Sequence, residues 1–321
     1  MTVAMAYRVT NSMMINNFNR NLNKNNIKMA HFQSQLATNQ KIVRFSDDPV
    51  GVIKAMSARS RLASIEQYQS NLSDAKAYLT QAESSMMEVN EIIKRMNELA
   101  VNLANEVKTP EDRQAVANEI QEMMKQLITA GNATLGDKYI FGGYNTTKVP
   151  FAVDPEGDWV NGVMTFNGLD IEDPANLADI NAISDEMQFE VGFNVDMPIA
   201  VPGSDVFGRG EDNLYKIVRD FYNAANSPDM EDLAPFIKKF QDAQSNVLSE
   251  ISQVGGRVNR LELMENRYVQ DKINYTQMKS DVEDLDQAEA IMLYSMAEAV
   301  YRAALSVGGR TLQPTLVDFL R

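Results

Sequence analysis

The sequence predicts a mainly α-helical protein with an inserted β-rich domain, in which N- and C-terminal coiled-coil segments build a helical rod. Near both ends of the chain, apolar residues recur alternately three and four positions apart, the spacing that pairs helices in coiled coils. The 321 residues are 44% apolar, enough for a sizeable core. Residues 149–210 hold five of the ten prolines and the only tryptophan, which indicates a separate, loop-rich region.

The first helix is predicted from an apolar seam that a polar residue interrupts only once. Residues 1–44 hold six basic residues, nine Asn and no Asp or Glu. This composition resembles a transit peptide in outline, although a solvated basic face is the plainer interpretation. A polar seam residue weakens helix pairing but can fix its register. The seam consists of Ile15, Phe18, Leu22, Asn25, Met29, Phe32 and Leu36.

The second helix carries the most regular seam, thirteen consecutive apolar or aromatic positions. They are Ile65, Tyr68, Leu72, Ala75, Leu79, Ala82, Met86, Val89, Ile93, Met96, Ala100, Leu103 and Val107. A third helix, antiparallel to it, is predicted to start at Thr109-Pro110, with a capping hydroxyl and proline at the first position, and to end near Gly131. Its apolar face is Val116, Ile120, Met123 and Leu127.

The central region changes from helical to strand-like periodicity. Residues 139–144, Tyr-Ile-Phe-Gly-Gly-Tyr, predict a strand that runs into a turn, and strands are also predicted at 163–166 and 189–195. The alternating acids Asp154, Glu156 and Asp158 resemble the start of a calcium loop, but Trp159 replaces the required glycine. A solvated turn is therefore the preferred interpretation.

Helical signals resume near Glu211, where Leu214, Ile217, Val218 and Phe221 share a face. A further helix is predicted after Pro228, interrupted by Gly255-Gly256, for which a close helix crossing and a local bend both stay open. Ordinary amphipathic helices of a globular bundle remain the alternative for both terminal segments. The C-terminal seam is Leu261, Met264, Tyr268, Asp271, Tyr275, Met278, Val282, Leu285, Glu289, Met292, Met296, Ala299 and Ala303.

Composition argues against several function classes. The net charge of −14 disfavours nucleic acid and anionic membranes as partners, and the absence of cysteine excludes disulfides and thiolate metal sites. No apolar run reaches about 18 residues, and no pattern of a cleaved secretory signal is found. The only histidine, His31, flanks the N-terminal seam. We therefore expect no enzyme, and no catalytic, cofactor or metal site.

A run of acidic residues precedes the end of the C-terminal seam. It comprises Asp281, Glu283, Asp284 and Asp286. The simplest interpretation is a solvated helix face. If the two ends of the chain lie antiparallel, these carboxylates could instead pair with Lys41 and Arg44, although such exposed pairs contribute under about 1 kcal/mol each.

Four sequence elements together resemble the flagellin superfamily. They are residues 7–13 (Tyr-Arg-Val-Thr-Asn-Ser-Met), 40–49 ending in Ser-Asp-Asp-Pro, 139–144, and 307–321 with Gln-Pro-Thr-Leu and a Phe-Leu ending. In the 40–49 element, Ser46 or Asp47 is a plausible helix cap. Flagellin itself usually lacks the proline and the Phe-Leu ending, so the hook-associated junction branch of the superfamily is the nearest match. No resemblance is recognised for residues 150–210.

The resemblance implies a flagellin-like fold and a structural, extracellular protein at the hook-filament junction of the bacterial flagellum. It implies export without a cleaved signal peptide, through the flagellar type III apparatus with an export chaperone. The implied partners are further copies of the chain in a ring-like homo-oligomer, the other junction protein FlgK, and flagellin, with no nucleic acid and no membrane insertion. A flagellin filament subunit and an unrelated coiled-coil scaffold protein remain the alternatives.

The resemblance also divides the chain. Residues 1–45 and 285–321 would be assembly helices that are disordered in the monomer, 46–143 and 211–284 the two parts of a rod domain, and 144–210 an outer β-rich domain. In the assembled state the N-terminal seam would meet the C-terminal one, and the closing segment would be buried against neighbours. The predicted assembly interface is Phe18, Leu22, Met29, Phe32, Val282, Leu285, Met292, Met296, Leu312, Leu316, Phe319 and Leu320.

Overall fold

The computed structural model describes residues 11–105, 109–183, 187–227 and 233–311. The chain forms two compact units. The terminal unit combines Met1–Ser64 with Gln270–Arg321, and the central unit is Ile65–Val269. Two long helices pass from one unit into the other.

Helices dominate both units, which confirms the predicted fold class. The helices are α1 Asn11–Thr38, α2 Pro49–Asn105, α3 Pro110–Gly131, α4 Leu177–Ile183, α5 Gly203–Val206, α6 Leu214–Asn226, α7 Ala234–Glu283 and α8 Gln287–Thr311. Short 3-10 helices occur at Pro174–Asn176 and Gly210–Asp212. The strands are β1 Thr134–Leu135, β2 Lys138–Tyr139, β3 Phe151–Asp154, β4 Val163–Phe166, β5 Leu169–Asp170, β6 Gln188–Gly192 and β7 Val195–Pro198.

Helix α2 begins at Pro49, and its cap corrects the sequence prediction. The Asp48 carboxylate accepts hydrogen bonds from the amides of Val50 (3.1 Å) and Gly51 (3.0 Å). The Asp47 carboxylate instead accepts from the amide of Arg44 at 2.8 Å. The cap is therefore Asp48 and neither Ser46 nor Asp47. Asp48 directly precedes Pro49, so its side chain reaches the free amides of the first helical turn.

The seam of α2 forms the spine of the central core. From Leu72 to Leu103 every predicted seam residue is buried, whereas Val107 lies outside the described residues. Helix α3 starts and ends where predicted: Thr109 and Asp112 form a capping box, and the helix ends at Gly131. Arg95 of α2 pairs with Glu119 of α3 at 2.8 Å.

Three small antiparallel sheets lie in the central unit, with strand orders β1-β2, β3-β4-β5 and β6-β7. The predicted strand 163–166 is confirmed, and Phe166 pairs with Phe151 across the sheet. The strand predicted at 189–195 is instead a hairpin that turns at Phe193-Asn194. Asn194 adopts a left-handed conformation (φ 53°), which places the turn inside the alternating pattern.

Two tyrosine hydroxyls connect the long helices to the small sheets and loops. Tyr78 of α2 donates to the carbonyl of Ile140 at 2.5 Å, and burial raises the pKa of Tyr78 to about 12. Tyr215 of α6 donates to the carbonyl of Trp159 at 2.9 Å, and burial raises its pKa as well. Because each phenol satisfies a backbone carbonyl, both anchors hold loops on the helical core.

Helix α7 runs without interruption through Gly255-Gly256, so the predicted break there is wrong. A Cβ added to either glycine would meet nothing within 4 Å, which also excludes a close helix crossing among the described residues at this point. The actual break lies between α7 and α8. There the Asp286 carboxylate accepts from the amides of Ala288 (2.9 Å) and Glu289 (3.1 Å) and caps the new helix.

Candidate assembly surface

The two units differ sharply in how much apolar surface they bury. Within the described ranges, nearly all buried apolar residues belong to the central unit. The terminal unit buries only three, all alanines: Ala55, Ala58 and Ala290. The larger apolar side chains of the terminal helices are therefore at best partly covered within one chain.

Helices α1 and α8 pack antiparallel in the terminal unit. The ring of Phe18 lies where a Cβ on residue 308 would be, so Gly308 permits this close approach of the two helices. At the other end, the Gln287 amide donates to the Asn39 side-chain oxygen at 2.9 Å. Helix α1 packs through its predicted seam, where Phe18, Leu22, Asn25, Met29, Phe32 and Leu36 are all half-buried.

Helix α8 packs against α1 through a stripe that the sequence analysis missed. This stripe has positions three or four residues apart: Ala290, Leu293, Ala297, Tyr301, Ala304 and Gly308. Tyr294 and Glu298 beside it are half-buried as well. The predicted seam lies on another face and is exposed at Glu289, Met292, Met296, Ala299 and Ala303. The signal that could have revealed both stripes is that α8 carries apolar residues on nearly every face.

The predicted interface residues therefore divide into three groups. Phe18, Leu22, Met29 and Phe32 are half-buried on α1, and Val282 and Leu285 are half-buried at the break between α7 and α8. Met292 and Met296 are 56% and 58% exposed. Leu312, Leu316, Phe319 and Leu320 lie outside the described residues. Contact between the two predicted seams stays a prediction about neighbouring subunits.

The acidic run meets the N-terminal loop, but not through the predicted ion pairs. The Lys41 amide donates to the Glu283 carbonyl at 2.8 Å, and Gln40 and Asp284 form an antiparallel bridge. The Glu283 carboxylate pairs with Arg59 of α2 at 2.8 Å, in place of Lys41 or Arg44. Backbone hydrogen bonds therefore join the two segments, and the Glu283 side chain pairs with a different partner.

Exposed apolar side chains continue over the whole terminal unit. They are Met13, Met14, Ile15, Ile27, Phe45, Val50, Ile53, Met56, Ile273, Met278, Ile291, Met292, Met296, Val300, Leu305 and Val307. Large apolar side chains left exposed in such number are typical of protein-protein contact sites. The arrangement can therefore bind other helices along its length.

The structure offers little for other chemistry in the residues it describes. There, no three His, Cys, Asp or Glu side chains are grouped closely enough to hold a metal ion. The Asp158 carboxylate serves its own turn, where hydrogen bonds from Asn161 hold its pKa below the usual range. His31 is half-buried with its ring 5.9 Å from that of Phe32. None of the described helices is long and apolar enough to cross a membrane.

Known flagellar proteins are similar to this chain in sequence and in fold. Residues 9–146 match the family model of the bacterial flagellin N-terminal helical region. Flagellar hook-associated protein 3 of Escherichia coli K12 is 25% identical over 308 residues, covering 92% of this chain and 94% of the relative. The protein of the same name from Salmonella typhimurium is 24% identical over 311 residues, again covering 92% of this chain and 94% of the relative. The flagellar junction protein FlgL of Legionella pneumophila superposes with a TM-score of 0.56 at 15% identity, covering 73% of this chain and 100% of that one.

Proposed function

We propose, from homology to hook-associated protein 3 along nine-tenths of the chain, that this protein is a structural component of the flagellar hook-filament junction. It connects the hook to the flagellin filament. The observation that carries this function is the terminal unit, whose long helices expose Met, Ile, Val and Phe side chains while the central unit holds the core. A subunit that polymerises through its ends needs a core that folds within one chain and terminal helices whose apolar side chains stay available to other subunits.

The location of the protein and its partners follow from that role. The protein acts outside the cell as part of the flagellum, with filament proteins as partners. We further propose a ring-like homo-oligomer that contacts FlgK on the hook side, after export by the flagellar apparatus with a chaperone. The resemblance in sequence motifs supports these partners.

The residues proposed for the assembly interface add detail to the same function. Helices α1 and α8 would gain most of their stability when neighbouring subunits cover them, because many of their described apolar side chains are exposed within one chain. Met292 and Met296 would contact neighbours directly, and Leu312, Leu316, Phe319 and Leu320 would be buried there too. Residues 46–143 and 211–284 would serve as a rod, and residues 144–210 as an outer domain.

A flagellin filament subunit is the second candidate, and the match of residues 9–146 to the flagellin model favours it. Deleting the gene from its source organism separates the two. For a junction protein, the hook stays complete and flagellin monomers appear in the medium, and the wild-type gene restores the filament. If deletion instead removes the major filament protein while both junction proteins stay on the hook, the chain is a flagellin.

A further inference from the structure

The terminal unit contains an open groove of about 930 Å³. Its walls are α1, the loop that follows α1, and α8. The apolar part of its lining is Ile27, Ala30, Phe32, Val43, Leu293, Met296, Ala297 and Val300. Its volume lies at the upper end of that of ligand pockets, so it has room for several side chains of a partner.

The rim of the groove is basic. Lys28 and Arg44 are exposed along it. The one carboxylate in the lining, that of Asp47, accepts a hydrogen bond from the Arg44 amide and so is held by its own loop. Residues 11–44 contain no acidic side chain that could neutralise this rim locally. The groove therefore fits a segment that is apolar and acidic.

The acidic start of α8, residues 284–292, has this combination. Glu289 is exposed, and Ile291 and Met292 beside it are 54% and 56% exposed. Asp284 and Asp286, just before the first turn, are exposed as well, and each carboxylate also accepts hydrogen bonds through one oxygen within its own segment, from the Ser280 hydroxyl and from the amides of Ala288 and Glu289 respectively. The α8 segment cannot occupy the groove of its own chain, because the same helix forms one wall. A second copy of the chain can supply such a segment.

We propose that the acidic start of α8 in one copy docks in the groove of the next copy, with Ile291 and Met292 as anchors and Lys28 and Arg44 facing its carboxylates. The inference rests on the proposed function, since it names one contact of the assembly. The two surfaces differ, so the contact is heterologous and leaves a free groove and a free segment for further copies. A helix that lays apolar side chains into a groove is a common recognition mode.

The first test uses the absence of cysteine from the chain. Ile291→Cys and Val300→Cys variants of the full-length protein, one of them isotopically labelled, are mixed at assembling concentration and oxidised. We expect mixed disulfide dimers at least fivefold above those formed when Leu248→Cys, on the central unit, replaces Ile291→Cys. Equal yields from the two mixtures would overturn the proposed contact.

The second test reverses charge on each side. Arg44→Glu and Glu289→Lys should each weaken self-association by about threefold to fivefold, since exposed ion pairs contribute modestly, and the double variant should recover most of the loss. If the affinity losses of the two single variants simply add in the double variant, the proposed contact is wrong. Sedimentation of the wild-type chain separates the two ideas: self-association without this cross-link refutes only the contact, whereas a chain that stays monomeric at every concentration and fails to restore filaments refutes the proposed function as well.

Discussion

The central and terminal units share two helices, α2 and α7, yet the same helices meet very different surroundings in each. In the central unit, Met86 and Met96 of α2 are fully buried. In the terminal unit, Val50, Ile53 and Met56 of the same helix are 63%, 62% and 55% exposed. An apolar stripe thus indicates that a helix needs a partner, without indicating whether the partner lies in the same chain.

The energetic meaning of the difference follows from surface burial. Fully burying one Val, Ile or Met side chain contributes about 1.5–3 kcal/mol. The central unit realises this gain within one chain, whereas the terminal unit leaves much of it unrealised there. The proposed assembly would therefore draw on a different part of the sequence from folding, and substitutions would separate the two.

The largest effect on the unfolding free energy is expected in the central core. Phe240→Ala should lower it by about 3–5 kcal/mol, because the ring is fully buried and packs edge-on against Phe221 at 5.4 Å. The matched variant Phe45→Ala, in the terminal unit, should change it by under about 0.5 kcal/mol, since that ring is 60% exposed. Chemical unfolding of the monomer measures both, and similar losses would contradict the contrast between the units.

Two glycines provide a second comparison. In Gly131→Ala the new Cβ would lie 2.7 Å from Phe151 and 2.9 Å from Phe207, so we expect a loss of about 1–3 kcal/mol. Gly256→Ala, in the middle of α7 with open space around it, should instead raise stability by about 0.5–1 kcal/mol. Urea midpoints of the two variants should move in opposite directions; a loss at position 256 would reveal packing there.

Alkaline pH should destabilise the central unit through Tyr78. Its pKa is about 12 in the folded protein and 10.0 in the unfolded chain, so the unfolded state loses its proton first as pH rises. Stability that is fully present below pH 10 should fall by about 2 kcal/mol between pH 10 and 12. Tyr78→Phe should reduce this fall, and the remainder should include the contribution of the buried Tyr215. A pH profile unchanged by Tyr78→Phe would refute the role of burial.

The smallest effect on the monomer is expected for Met292→Asp. The side chain is 56% exposed, so the unfolding free energy should change by under about 0.5 kcal/mol. Assembly, followed by sedimentation, should nevertheless be lost, because a charge would be buried between subunits. Normal assembly by this variant would remove Met292 from the interface.

How far the sequence predicts the fold depends on how local each signal is. The start of α3 is predictable because Thr109 and Asp112 form the cap within four residues. The hairpin at 188–198 is not, because its turn at Phe193-Asn194 lies inside a run of alternating residues and depends on a left-handed Asn194. The Gly255-Gly256 pair misleads because a long helix with its core on the other side tolerates two weak helix formers.

The packing of α1 on α8 was predictable from the sequence for α1 but not for α8. On α1 the predicted seam residues from Phe18 to Leu36 are all half-buried, as the seam spacing predicts. On α8 two stripes are apolar, and the choice between Leu293 and Met292 as the face toward α1 depends on tertiary packing, including the close approach at Gly308. A pattern in one helix cannot supply that information.

Hydrogen exchange of the full-length chain, as a monomer and in the assembly, tests the division between folding and assembly most directly. We expect amides of the central unit, such as those of α2 from Leu72 to Leu103, to be protected in both states. Amides of α1 and α8 should exchange quickly in the monomer and become protected in the assembly. Equal protection of α1 and α8 in both states would contradict the claim that the terminal unit depends on its neighbours.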